Sequence, residues 1–178
     1  KVGVALLWAV HRLHPDRLVW KDPVLDRLVA PPRLKKMLLA GADPVAAMLD
    51  VARRRLPAEV DLREAWAERL PYGDAEFDVV VSCSMLHYVR EPHAALREMH
   101  RVLKPGGRLM LTDWCDDYLA CRLCDLYLRL FDRAHYRMYG QERCRQLLAE
   151  AGFEQAGLDR FKINWLWGLM TTVGRRRR

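Results

Sequence analysis

Between Leu38 and Trp114 the chain reads LLAGADPVAAMLDVARRR (38–55), AERLPYGDAEFDVVVSCSMLHYV (67–89) and REMHRVLKPGGRLMLTDW (97–114). The first block predicts a short strand, LLAGAD, closed by an acid. Asp43-Pro44 then predicts a helix start, with Asp as N-cap and Pro at the first helical position. Val45, Met48, Leu49 and Ala52 give that helix one apolar stripe, and Arg53 to Arg55 suit its negative end before Pro57 stops it. Glu59 to Arg63 is a weak strand candidate. Phe77 to Cys83 is almost continuously apolar, which is how a strand covered on both faces reads. Pro92 to Leu103 forms the next helical pattern, Lys104-Pro105-Gly106-Gly107 ends it, and Arg108 to Thr112 reads as another strand. Strand, helix, strand in this order predicts right-handed crossovers and an α/β fold with a doubly wound, mostly parallel sheet.

Working outward, Tyr118 to Phe131 reads as a helix with Leu119, Leu123, Leu126 and Leu130 on one side. Gln141 to Ala151 is a further helix, closed by Gly152 just past its end. Phe153 to Ile163 and Trp165 to Val173 read as a closing antiparallel pair. Residues 1–37 are the least regular, an irregular segment with the character of a truncated first strand–helix unit. Leu6, Val10 and Leu13 have helical spacing there, and Pro15, Pro23, Pro31 and Pro32 interrupt the rest of the segment. The expected division is 1–37 irregular, 38–174 the α/β domain and 175–178 a solvated basic tail. The chain opens on Lys rather than Met, which reads as a fragment.

The 178 residues, 51% hydrophobic and 30% charged, suit one globular domain with a real core. Net charge is +7, but four of the basic residues are the terminal Arg175 to Arg178, and no basic face interleaved with aromatics accompanies them. Nucleic acid is therefore disfavoured as a partner. Val2 to Val10 is too short to span a bilayer and lacks a cleavage pattern, so no membrane span is expected. Five cysteines, an odd number in a chain that needs no staples, read as reduced thiols of a cytoplasmic protein. Cys121-x-x-Cys124 lies in an apolar helical pattern and no second such pair completes a ligand set, so no metal is expected.

The three quoted blocks together resemble the class I S-adenosylmethionine-dependent methyltransferases, specifically the type 11-like methyltransferase domain, over roughly Leu38 to Gly152. The resemblance implies S-adenosyl-L-methionine as cofactor and a small-molecule methyl acceptor. In a doubly wound sheet ligands bind beyond the carboxyl ends of the strands. Asp43 stands at such an end and, by resemblance, would hold the ribose diol with a charge-assisted bidentate contact. In EAWAERLPY (64–72) the family places an acid and a small residue around the adenine. Here Trp66 replaces the acid, offering a stacking face, while Ala67 keeps the small residue and its backbone N–H. Cys83 matches the position that lines the methionine end. His87, by resemblance on the acceptor side, is a candidate base for a hydroxyl or amine, with Asp113 a comparable candidate; a packed structural histidine is the competing reading.

One family element is missing. The resemblance demands an acid-ended strand followed by a G-x-G-x-G turn, because backbone must approach the cofactor closely there. Val24-Leu25-Asp26 is the candidate for that strand end, yet Arg27 to Pro32 contain no glycine. A truncated or misread gene, a pseudoenzyme that kept the scaffold, and an unusual loop of lower affinity are the three explanations. The leading expectation is methyl transfer to a small-molecule acceptor, and the Tyr118 to Tyr139 insert would help cover that acceptor. The alternatives are an impaired or truncated scaffold acting as a binding module, or a basic nucleic-acid binder. Composition sets neither the acceptor nor the oligomeric state.

Overall fold

The computed structural model describes residues 2–8, 37–132, 135–162 and 168–177. Seven strands form one sheet in the order β3-β2-β1-β4-β5-β7-β6. They are β1 Val2–Trp8, β2 Met37–Asp43, β3 Asp61–Glu64, β4 Phe77–Cys83, β5 Leu103–Trp114, β6 Phe153–Lys162 and β7 Gly168–Arg176. β3 to β5 across the sheet are parallel, and β7 closes antiparallel against both β5 and β6. The helices are α1 Ala46–Arg55, α2 Pro92–Val102, α3 Leu119–Phe131 and α4 Gln141–Glu150. This is the expected doubly wound sheet with its antiparallel C-terminal pair.

The N-terminal apolar run differs from its sequence reading. Val2–Trp8 is a strand, hydrogen-bonded in parallel between β2 and β4, so Leu6 lies in extended chain. Val10, Leu13 and the Val24-Leu25-Asp26 candidate lie outside the described residues. A short continuous apolar run cannot tell strand from helix by periodicity. β1 takes the central place in the sheet, and in the sequence no glycine occurs between Gly3 and Gly41.

The Asp43-Pro44 start also shifts. α1 begins at Ala46 with Val45 as N-cap and without a side-chain cap bond. Proline pushes Asp43 out of the α region, so Asp43 ends β2 instead, and its carboxylate turns back onto the Val45 N–H. At the other helix ends the sequence signals hold. Gly152 follows α4 with φ of 89°, the left-handed conformation that a side chain disfavours. In the Lys104-Pro105-Gly106-Gly107 segment, a Cβ on Gly107 would lie 2.8 Å from the Lys104 carbonyl oxygen. That segment is already strand, β5 starting at Leu103 directly after α2.

The core lies between the sheet and α2 and α4, where Phe77, Val80, Leu96, Met99, Val102, Leu109, Leu147 and Leu148 are buried. α3 is different. Leu119, Leu123, Leu126 and Leu130 do share a side, with Tyr127 and Phe131, but that side faces solvent, while Cys121 and Asp125 face inward. The C-terminal arginines are not all a solvated tail: Arg175 and Arg176 lie in β7. Arg176 donates through Nη1 to the carbonyls of His100 and Arg101, each at 3.0 Å, and to that of Leu103, closing the end of α2.

Candidate cofactor and acceptor site

Strand order reverses at β1, so the crevice lies beyond the carboxyl ends of β1, β2 and β4. Leu7 pairs with Ala42 on one side and Ser82 on the other, and Trp8 pairs with Cys83. Asp43 and Cys83 thus end the two strands flanking β1, about 10 Å apart across two strand spacings. Asp43 pairs in register with Glu64, and the Ala65 N–H donates to the Asp43 carbonyl, which draws the segment after β3 to the same rim.

An open-sided pocket lies there, lined by Ala42, Pro44, Ala65, Trp66, Ala67, Met85 and Tyr88 among others. Trp66 is 67% exposed and offers a face at the mouth, whereas Ala67 is buried in the wall. The Asp43 side chain is buried; its Oδ1 accepts from Val45 N–H at 2.7 Å, and its Oδ2 has no hydrogen-bond partner among the described residues. Burial pushes its carboxyl from the ordinary 3.8 up to about 6, against the lowering effect of the Val45 bond. Ser82 and Ser84, on either side of Cys83, carry buried hydroxyls that likewise lack partners among the described residues. Ser84 also has φ of 48°, an uncommon conformation for a residue with a Cβ, at the point where β4 enters the crevice.

The loop that forms the pocket wall is tied down from α2. Glu98 accepts from the Leu70 N–H at 2.8 Å, and Arg101 donates to the carbonyls of Leu70 and Tyr72 and to Asp74. Glu98 and Arg101 also bond each other, which holds the Glu98 carboxyl below its usual range. Tyr72 donates to the Gly41 carbonyl at 2.7 Å, linking the loop to β2.

On the other side of the crevice stand His87 and Asp113. His87, in the 3-10 turn Leu86–Tyr88, meets Asp113 Oδ1 through Nδ1 at 2.5 Å. Asp113 also accepts from the Leu86 and Trp114 N–H groups. The His87 ring stacks on Trp114 with centroids 4.5 Å apart and contacts Tyr88 at 4.2 Å. It is fully buried, so the ring meets protein on all sides in this conformation. The 87–113 pair is brought together as a unit, and Tyr88 both contacts His87 and lines the pocket.

Sequence reasoning missed a second pair. His135 Nε2 meets Asp125 Oδ1 at 2.7 Å, and the two imidazole centroids of His87 and His135 are 5.6 Å apart. The signal was out of reach of local pattern, since Asp125 sits on a helix and His135 in the following loop. Among the described residues no group of three or more His, Cys, Asp or Glu side chains could hold a metal. The five cysteines form no disulfide, and burial pushes the Cys115 and Cys144 thiols up to about 12. Cys121 is buried on the inner face of α3 with Cys124 half-buried beside it. No helix of the described residues is long and apolar enough to cross a membrane.

Comparison with known proteins supplies the family. A model of the methyltransferase domain matches residues 29–111. A ubiquinone/menaquinone biosynthesis C-methyltransferase of Shewanella frigidimarina is 30% identical over 83% of this chain and 75% of its own length. The chain belongs to the class I S-adenosylmethionine-dependent methyltransferases. The uncharacterised YafE protein of Escherichia coli is 38% identical over 61% of this chain, which spans only 56% of that relative's length. An S-adenosylmethionine-dependent methyltransferase of Methanosarcina mazei has the same fold, with a TM-score of 0.72 at 16% identity, covering 98% of this chain and 92% of its own. The methyltransferase cofactor, S-adenosylmethionine, has an adenosyl group that fits the residues present. Asp43 Oδ2, buried and without a hydrogen-bond partner among the described residues, could accept from a hydroxyl, and its neighbours Ala42 and Pro44 line a pocket with an aromatic face at its mouth.

Proposed function

We propose that this methyltransferase binds S-adenosylmethionine along the ends of β2, β3 and β4 and directs its methyl group to a small-molecule acceptor. Asp43 would take the ribose hydroxyls, Ala67 and Trp66 would bracket the adenine, and Cys83 would line the methionine end. The observation that carries this reading is Asp43 Oδ2, a buried carboxylate oxygen without a protein partner at the crevice among the described residues. Burying it unsatisfied costs about 1–3 kcal/mol, which ligand hydroxyls would offset. Bound cofactor supplies an electrophilic methyl that is already activated. The protein's task is therefore alignment and exclusion of water. His87 and Asp113 are the candidates for handling the acceptor's proton. Tyr88 would move to admit the acceptor, since it both contacts His87 and lines the pocket.

A reduced quinone ring is the first acceptor to try, because the Shewanella relative is named for ubiquinone and menaquinone biosynthesis. Five cysteines in the thiol form suit a reducing compartment, and we adopt the cytoplasm as the site of action. A second reading, a scaffold that no longer binds cofactor, is favoured by the absence of glycine between Gly3 and Gly41. Calorimetric titration with S-adenosylhomocysteine separates the two. Saturable binding that Asp43→Ala abolishes is the expected result; no heat in the wild-type chain leaves the scaffold reading. His87→Ala should then keep cofactor binding and lose turnover of a reduced quinone, and full activity would refute the base role.

A further inference from the structure

The Asp125–His135 pair is built like a binding site rather than a packing contact. Asp125 is the only acid of α3, and the helix turns it inward while Leu119, Leu123, Leu126 and Leu130 face solvent. Its Oδ1 accepts from His135 Nε2 at 2.7 Å and from the Met138 N–H at 2.8 Å, and Arg129 pairs with Oδ2. Surrounded by donors, the carboxylate accepts from the imidazole, so a neutral His135 ring carries its proton on Nε2 and presents the Nδ1 lone pair. That Nδ1 is buried and has no hydrogen-bond partner among the described residues. The loop carrying it is fixed to the acceptor side, because the N–H groups of Tyr136 and Arg137 both donate to the His87 carbonyl. Tyr88, which lines the pocket, packs edge-on to the His135 ring at 6.3 Å, so it joins the pocket wall to the buried imidazole. A buried acceptor atom left without a donor is rare in folded proteins and is explained when a ligand supplies the donor.

We propose that His135 Nδ1, oriented by Asp125, is a hydrogen-bond acceptor for a hydroxyl or amine group carried by the methyl acceptor. The ring wall of Trp114, Tyr88 and His87 around it selects an aromatic frame, so the substrate class is a phenol, hydroquinone or arylamine. This deepens the methyltransferase reading and rests on it for the identity of the ligand as substrate. His135 binds and selects here, while the proton-handling candidates remain His87 and Asp113.

The test uses the full chain, 1-naphthol as a phenolic probe, and nitrogen–proton correlation spectra of the histidine side chains. In the wild-type protein at neutral pH, His135 should carry its proton on Nε2, and 1-naphthol should shift the Nδ1 resonance. His135→Gln, whose amide can still donate to Asp125, should keep the circular dichroism spectrum and lower 1-naphthol affinity about fivefold or more, the loss of one hydrogen bond. Asp125→Asn should mix the tautomers even where it binds the probe. A proton on Nδ1 in the wild type, an Nδ1 resonance indifferent to 1-naphthol, or unchanged affinity in His135→Gln would each overturn the inference. Absence of S-adenosylhomocysteine binding would instead remove the methyltransferase reading, and the probe results would stand on their own.

Discussion

Asp43 is held in a form suited to a ligand and unsuited to the empty chain. Its carboxyl titrates near 6 in the fold and at the ordinary 3.8 when exposed, so between those values the folded chain keeps a proton that the unfolded chain has lost. Stability contributed by this group therefore falls as pH rises through that window. At neutral pH the ionised, buried carboxylate opposes folding by up to about 3 kcal/mol, less where solvent reaches it. Asp43→Asn should accordingly raise the melting temperature at pH 7 and flatten the stability slope between pH 4 and 6, read by thermal melts across pH. The same residue predicts the opposite sign for binding. Ribose hydroxyls donate to the carboxylate, so S-adenosylhomocysteine affinity should weaken as pH drops below about 6, approaching about tenfold per pH unit. Affinity that stays flat from pH 7 to 5 would remove Asp43 from the site. The place of Asp43 at the end of β2 was legible in the sequence because a strand end, an acid and a proline are local signals. His135 was not, because its partner Asp125 and its neighbour His87 meet it only through the tertiary fold.

Among the elements, α3 shows what periodicity can and cannot say. The spacing of Leu119, Leu123, Leu126 and Leu130 identifies residues that share a side, but the side that packs is chosen by what the helix must satisfy. Here Asp125 and Cys121 have partners in the body, and the leucines have none to fill. Leu126→Ser should therefore change stability by no more than about 0.5 kcal/mol, as for an ordinary surface position. Chemical denaturation would detect a larger loss and show that the stripe packs in solution. The end of α2 behaves in the reverse way. An arginine that reads as tail closes three carbonyls there, so Arg176→Ala should cost about 1–3 kcal/mol, far more than its place in a terminal Arg run suggests. The same denaturation experiment checks it against Arg177→Ala, whose guanidinium pairs only with exposed Glu154 among the described residues.

At the level of the molecule, the fold was readable wherever burial on both faces or a chain-reversing residue left a mark: β4 as an unbroken apolar strand, α2 by its stripe, α4 by Gly152. β1 escaped because the sheet, not its own pattern, makes it a strand: it is extended by pairing with β2 and β4. That central position couples site and stability. The two flanking strands carry Asp43 and Cys83 at their ends, and a ligand bridging those ends binds only when both strands are docked on β1. Ligand binding must then stabilise the native sheet by mass action. At a concentration of S-adenosylhomocysteine 100 times its dissociation constant the gain is about 2.7 kcal/mol. For a domain of this size each kcal/mol moves the midpoint by about 2–4 °C, so the expected rise is about 5–11 °C. Differential scanning fluorimetry reads it directly. Asp43→Ala should melt at an unchanged temperature with and without ligand, while Leu126→Ser, distant from the crevice, should keep the full rise. A rise in the Asp43→Ala protein equal to that of the wild type would mean that the ligand binds somewhere other than the ends of these strands.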